Sequence, residues 1–187
     1  MKRLQAAVNS LLLVMVFSVQ AGEIQSASVT HQDGVYTVTF DALVFAPQVQ
    51  VYRLMTDYAH LHELSDSIVE SGIIQSVSRL QHQTRLLLHT CILFFCQEME
   101  LTEDINTNGR DQIDARVIPE QSDFKSGTSH WLITPVNEGA RLALNRQLEP
   151  DFWIPPVIGP WLIKKNMLQE LSVLIERLEY YAGQDAR

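Results

Sequence analysis

The feature that most constrains this chain is a long stretch of alternating segments followed by one long amphipathic helix. From Ile68 to Glu149 the apolar residues recur at every second position, the repeat of a strand with one face buried. The segments fall near 68–78, 82–91, 96–106, 111–118, 126–136 and 139–149. They are separated by the turn signals Asn106-Thr-Asn-Gly109, Pro119-Glu-Gln-Ser122 and Asn137-Glu-Gly139. Connections this short join antiparallel neighbours, so the stretch reads as a meander. Beyond the Pro-rich break from Pro150 to Pro160, residues Trp161 to Tyr181 read as a helix. Leu168, Leu171, Ile175 and Leu178 repeat at helical spacing, and Lys164, Lys165, Glu170, Glu176 and Arg177 face elsewhere.

Ahead of the meander, Val35-Tyr-Thr-Val-Thr-Phe-Asp-Ala alternates and reads as a first strand. Ala46-Pro47 opens a helix, with Val51, Leu54, Met55 and Tyr58 on one face. A second short helical piece covers His60 to Leu64. The expected fold is α+β: a curved antiparallel sheet of about seven strands wrapped around a long C-terminal helix, with two short helices after the first strand. A helix of that kind must bury its stripe, and a curved sheet offers its concave face. Such a packing rarely fills completely, so a cavity between sheet and helix is expected.

The first 21 residues follow the secretory pattern: Lys2 and Arg3, an apolar run from Leu11 to Val19, then Val19-Gln20-Ala21 as a cleavage site. Cleavage is expected between Ala21 and Gly22, leaving one ligand-binding domain over residues 22–187 in the periplasm. A retained anchor is the alternative, but the apolar run is well short of the ~20 residues that span a bilayer. The whole chain carries a formal charge of −8, and loss of Lys2 and Arg3 makes it more negative. No basic cluster offsets this, so nucleic acid is a poor partner.

The sequence resembles the START-like (SRPBCC) superfamily, in particular its polyketide cyclase/dehydrase and coenzyme Q-binding branch. The residues that carry the resemblance are Ala46-Pro47 with Met55-Thr-Asp57-Tyr58 after it, Ser122-x-Phe124-x-x-Gly127-x-x-x-Trp131, and the Pro150-Asp-Phe-Trp-Ile-Pro-Pro-Val-Ile-Gly-Pro-Trp161 approach to the closing helix. Together they cover about residues 35 to 180. The resemblance implies a helix-grip fold with a hydrophobic cavity whose ligand is a lipid, an isoprenoid quinone or a polyketide, and, in a minority of members, a cyclisation or dehydration activity. Fold membership alone assigns no function.

Several residues are candidates for such a site. Leu142, Leu144, Arg146 and Leu148 share one face of the last strand. A cation on an apolar face needs a carboxylate, a polar head group or an escape to the rim, and Arg146 is the first candidate for holding a head group. Arg116 and Arg141 are weaker ones. Trp131, Phe152 and Trp153 suit the wall of an aromatic or sterol-like pocket, or ordinary core. Cys91 and Cys96 flank Ile92-Leu93-Phe94-Phe95. On one continuous strand they would lie about 16 Å apart, but across a hairpin tip they become neighbours able to pair. The four apolar residues between them are read as core, with a sticky loop at the cavity mouth, touching a membrane or gating the ligand, as the alternative.

Metal and catalytic signals are weak. His60-x-His62-Glu63 has the wrong angular spacing for one helical face, and no metal or cofactor is expected. Ser129-His130 and Glu103-Asp104 are adjacent on strands and point opposite ways. His89 and His130 are the histidines that an enzyme would turn inward. The reading is an exported binding or carrier protein for a hydrophobic molecule. A cyclase/dehydrase-type enzyme and an interaction module with a filled cavity are the alternatives.

Overall fold

The computed structural model describes residues 22–92, 95–152, 154 and 159–184, without the side chains of 92, 95, 159 and 160. The leader, the Ala21 side of the cleavage site, Leu93, Phe94 and Trp153 lie outside the described residues, as do the side chains of Ile92 and Phe95.

Among the described residues, eight strands and two α-helices form one sheet-and-helix layer pair. In chain order they are β1 (Glu23–Gln32), β2 (Val35–Val44), α1 (Gln48–Met55), a 3-10 turn at Leu61–Glu63, β3 (Ile68–Ser76), β4 (Gln81–Ile92), β5 (Phe95–Thr107), β6 (Gln112–Val117), a 3-10 turn at Pro119–Gln121, β7 (Phe124–Val136), β8 (Gly139–Pro150) and α2 (Gly159–Gln184). The sheet order is β1-β2-β8-β7-β6-β5-β4-β3, antiparallel at every step. The segment holding α1 carries the chain from β2 to the far edge, and the meander from β3 to β8 returns it to pair with β2.

One strand more is present than the alternation of the sequence predicts, and the two short helices follow the second strand. The additional strand is β1. As an edge strand it buries little: Ile24, Ala27 and Val29 are half-buried against the core and its other residues are mostly exposed, so it lacks the apolar alternation that marks its neighbours. Its partner is reached through Asp33-Gly34, both at positive φ (52° and 86°). That is the backbone of a two-residue hairpin turn, for which Asp-Gly is a preferred pair.

The core explains the division of labour along α2. Leu171, Ile175, Leu178 and Ala182 are buried on Val38, Phe40, Ala42, Val44, Ile133, Leu142 and the α1 residues Val51 and Met55. A smaller cluster of Leu86, Leu101, Val117 and Phe124 closes the other end of the sheet. Each fully buried aliphatic side chain contributes about 1.5–3 kcal/mol, so the second half of α2 clamps the sheet while its first half spans the space between the two clusters.

Candidate functional site

A cavity of about 600 Å³ occupies that space, within the roughly 300–1,000 Å³ of small-molecule sites. Its wall is predominantly apolar. The sheet supplies Tyr36 and Val38 from β2, Leu86 and Leu88 from β4, Met99, Leu101 and Ile105 from β5, Phe124 and Trp131 from β7, and Leu144 and Leu148 from β8. The inward set alternates along each strand because strand side chains do. Leu162, Ile163, Met167, Leu171 and Leu174 of α2 form the opposite wall, and Met55, Leu61 and Leu64 one end.

A small polar group interrupts this surface. Arg146 Nη2 donates to Glu103 Oε1 at 3.2 Å, pairing the cation of β8 with a carboxylate of β5 that is only 5 % exposed. Ser129 lies opposite Arg146 in the β7–β8 register. The Tyr58 hydroxyl, Ser129 Oγ and Arg146 Nε are each buried without a hydrogen-bond partner among the described residues, and all three residues line the cavity with Glu103. The Tyr58 phenol is held neutral, its pKa pushed up first by burial and then by Tyr52 and the Glu103 carboxylate. Buried polar atoms are paired in most proteins, and an unpaired one costs about 1–3 kcal/mol. Three of them, on residues that all line one cavity, make the polar corner of its otherwise apolar wall.

The segment that covers the cavity is tied down by polar side chains of α2. Ser65 Oγ donates to Glu170 Oε2 at 2.6 Å, Arg177 Nη1 donates to the Glu63 carbonyl at 3.2 Å, and Arg177 pairs with Asp66. Glu170 also lines the cavity, although the helical repeat assigns it to the outward face. The stripe is wider than its leucines suggest because the segment after the 3-10 turn folds over that flank of the helix.

Arg146, Trp131, Leu144 and Phe152 all line the cavity. Leu142 does not. It is fully buried in the packed core, at the end of β8 that α1 covers, so its expected contact with a ligand is corrected to a packing role. Cys91 and Cys96 face each other across β4 and β5 and are joined in a disulfide. Thr90 and Gln97, one residue to either side, line the cavity, so the β4–β5 tip borders it. His89, Cys91 and Cys96 bring three metal-ligand atoms within 4.8 Å of one another, but both sulfurs are spent in the disulfide.

The two histidines that an enzyme would turn inward lie away from the cavity: His89 and His130 are exposed, and His130 Nδ1 meets Asp114 Oδ1 at 2.6 Å on the outer face. Arg141 likewise points outward, pairing with Asp41. Sequence reasoning left Tyr58 on the core face of its helix and did not join Glu103 to Arg146. The parity of β5 puts Glu103 on the same face as Leu101 and Ile105, and that signal was sufficient to find it.

No protein-family model matches the chain, and no curated protein matches it. Solved structures do. A START superfamily protein from Mycobacterium smegmatis superposes with a TM-score of 0.58 at 19 % identity, over 80 % of this chain and 97 % of the other. An aromatase/cyclase from Streptomyces gives 0.62 at 13 %, over 87 % and 97 %. A STAR-related lipid transfer protein from Xanthomonas axonopodis gives 0.59 at 12 %, over 81 % and 98 %. The curved antiparallel sheet closed by a long C-terminal helix is therefore the helix-grip fold of the START-like superfamily.

Proposed function

We propose that this protein is an exported carrier that holds a hydrophobic, lipid-like or isoprenoid-quinone-like molecule between its sheet and α2. The observation that carries the reading is the apolar cavity of about 600 Å³, lined also by Tyr58, Ser129 and Arg146, each of which has a buried polar atom without a partner among the described residues. Affinity would come from burying apolar ligand surface, at about 25 cal/mol per Å² before association costs. The polar group would orient one end.

Its chemistry selects the kind of end. Arg146 Nε–H is a donor, and the Tyr58 and Ser129 hydroxyls can donate as well. Glu103 already balances the Arg146 charge, so an anionic head group would bring a second negative charge beside a buried carboxylate. A neutral oxygen, carbonyl or hydroxyl, fits better than a free fatty acid. Trp161, Lys164 and Lys165 are exposed at the start of α2, next to the wall residues Leu162 and Ile163. An aromatic ring flanked by lysines suits a brief contact with a membrane surface during loading.

Protein purified from the periplasm without detergent should carry a stoichiometric apolar molecule in native mass spectrometry, identifiable after solvent extraction. Met99→Trp with Leu88→Trp, which fill the cavity, should abolish it. An empty protein that also takes up neither added quinones nor added lipids would end the carrier reading.

A further inference from the structure

The start of β1 is gripped by a carboxylate. Gly22 N donates to Glu179 Oε2 at 3.0 Å, and the other oxygen of the same carboxylate accepts from Phe45 N at 2.7 Å. Position 22 has no room for a side chain. A Cβ there would lie 2.4 Å from Ile175 Cγ2, 2.5 Å from Glu179 Oε1 and 2.6 Å from the Leu43 carbonyl oxygen. Glu179 is half-buried on α2, two turns along the helix from Leu171 and one from Ile175. An amide nitrogen offers this carboxylate one donor and no charge, whereas an amino terminus offers three donors and a positive charge.

Val19 and Ala21, three residues and one residue before the bond to Gly22, stand directly ahead of this nitrogen in a small-x-small pattern. We propose that cleavage of the Ala21–Gly22 bond turns the Gly22 nitrogen into an ammonium and that Glu179 is its built receptor, so that processing locks β1 onto α2 by a salt bridge. Water, delivered by an endopeptidase of the signal-peptidase kind, adds across the amide. Its oxygen goes to the Ala21 carbonyl carbon, which leaves with the leader as a carboxylate, and the nitrogen stays with Gly22 and takes up both protons of the water to become the ammonium. The tight fit favours glycine at the new terminus, with its nitrogen already at hydrogen-bond distance from Glu179. The proposal rests on the export of the chain and is independent of the ligand.

The test uses the full chain expressed in a bacterium with export machinery, and the intact mass of the exported protein. The expected mass is that of a chain beginning at Gly22. Its amino group should react with an amine-selective reagent about tenfold more slowly than in Glu179→Gln, since an ammonium held by one pKa unit exposes a tenth of the free amine. Glu179→Gln should lower Tm by about 2–4 °C in the processed protein and have less effect in a chain that retains residues 1–21. Acetylating the Gly22 amino group of the processed wild type should reproduce the loss without a substitution. An exported protein that starts at another residue overturns the proposal and leaves export standing. An exported protein that retains its leader in full likewise overturns the proposal and leaves export standing, and a chain that is not exported at all overturns both. A Tm loss from Glu179→Gln that is equal with and without the leader, or an unchanged amine reactivity, overturns the receptor role alone.

Discussion

Replacing Arg146 would leave the Glu103 carboxylate inside the fold with nothing to balance it, and the cost of that exceeds what the pair gains when intact. Arg146→Ala is expected to destabilise the protein by about 3 kcal/mol, whereas Arg146→Leu combined with Glu103→Leu should recover most of that stability, read from urea unfolding of all three variants. Recovered stability with lost ligand uptake would separate the two roles of the residue. Tyr58 gives a second prediction. Its folded-state pKa is raised above the unfolded value by burial, then by Tyr52 and Glu103, so its contribution is complete below the unfolded value of about 10. That contribution declines as the pH rises from there toward the folded value. Tm measured between pH 9 and 11 should therefore fall less steeply in Tyr58→Phe than in the wild type. A residual slope is expected from Tyr36, whose phenol is also raised by burial.

Elements with a strong repeat were legible in the sequence, and those held by partners were not. The inward faces of β4 to β8 repeat at every second residue because one side of each meets the core, and their bounds were read to within two residues of those observed. β1 was missed since it is an edge strand whose residues are mostly exposed, although Asp33-Gly34 announced the hairpin. The disulfide belongs to this scale. Two continuations of the chain were open at Cys91 and Cys96, and the β4–β5 register decided between them by bringing the two residues opposite each other. Closing so short a loop restricts the unfolded chain by about 2 kcal/mol in the chain-entropy model. Cys91→Ser with Cys96→Ser should lower stability by no more than that. The loss should appear as faster hydrogen exchange at Thr90 and Gln97 rather than across the sheet.

At the scale of the whole molecule, the site is made by parts distant in sequence: Tyr58 follows α1, Glu103 lies on β5, and Ser129 and Arg146 sit on β7 and β8. Period and parity say which face a residue takes, so Arg146, Trp131 and Leu144 could be named in advance. They do not say where along that face the helices press the sheet shut, and Leu142, two residues from Leu144, falls under α1 on the closed side. The cavity also has a mechanical consequence. Unfolding eliminates internal voids, and the volume lost scales with them. A cavity of about 600 Å³ should make the ligand-free protein soft under hydrostatic pressure. Its unfolding midpoint in high-pressure fluorescence should rise when a ligand fills the space, and rise likewise in the Met99→Trp, Leu88→Trp protein with no ligand present. Pressure would thus report occupancy before the occupant has a name.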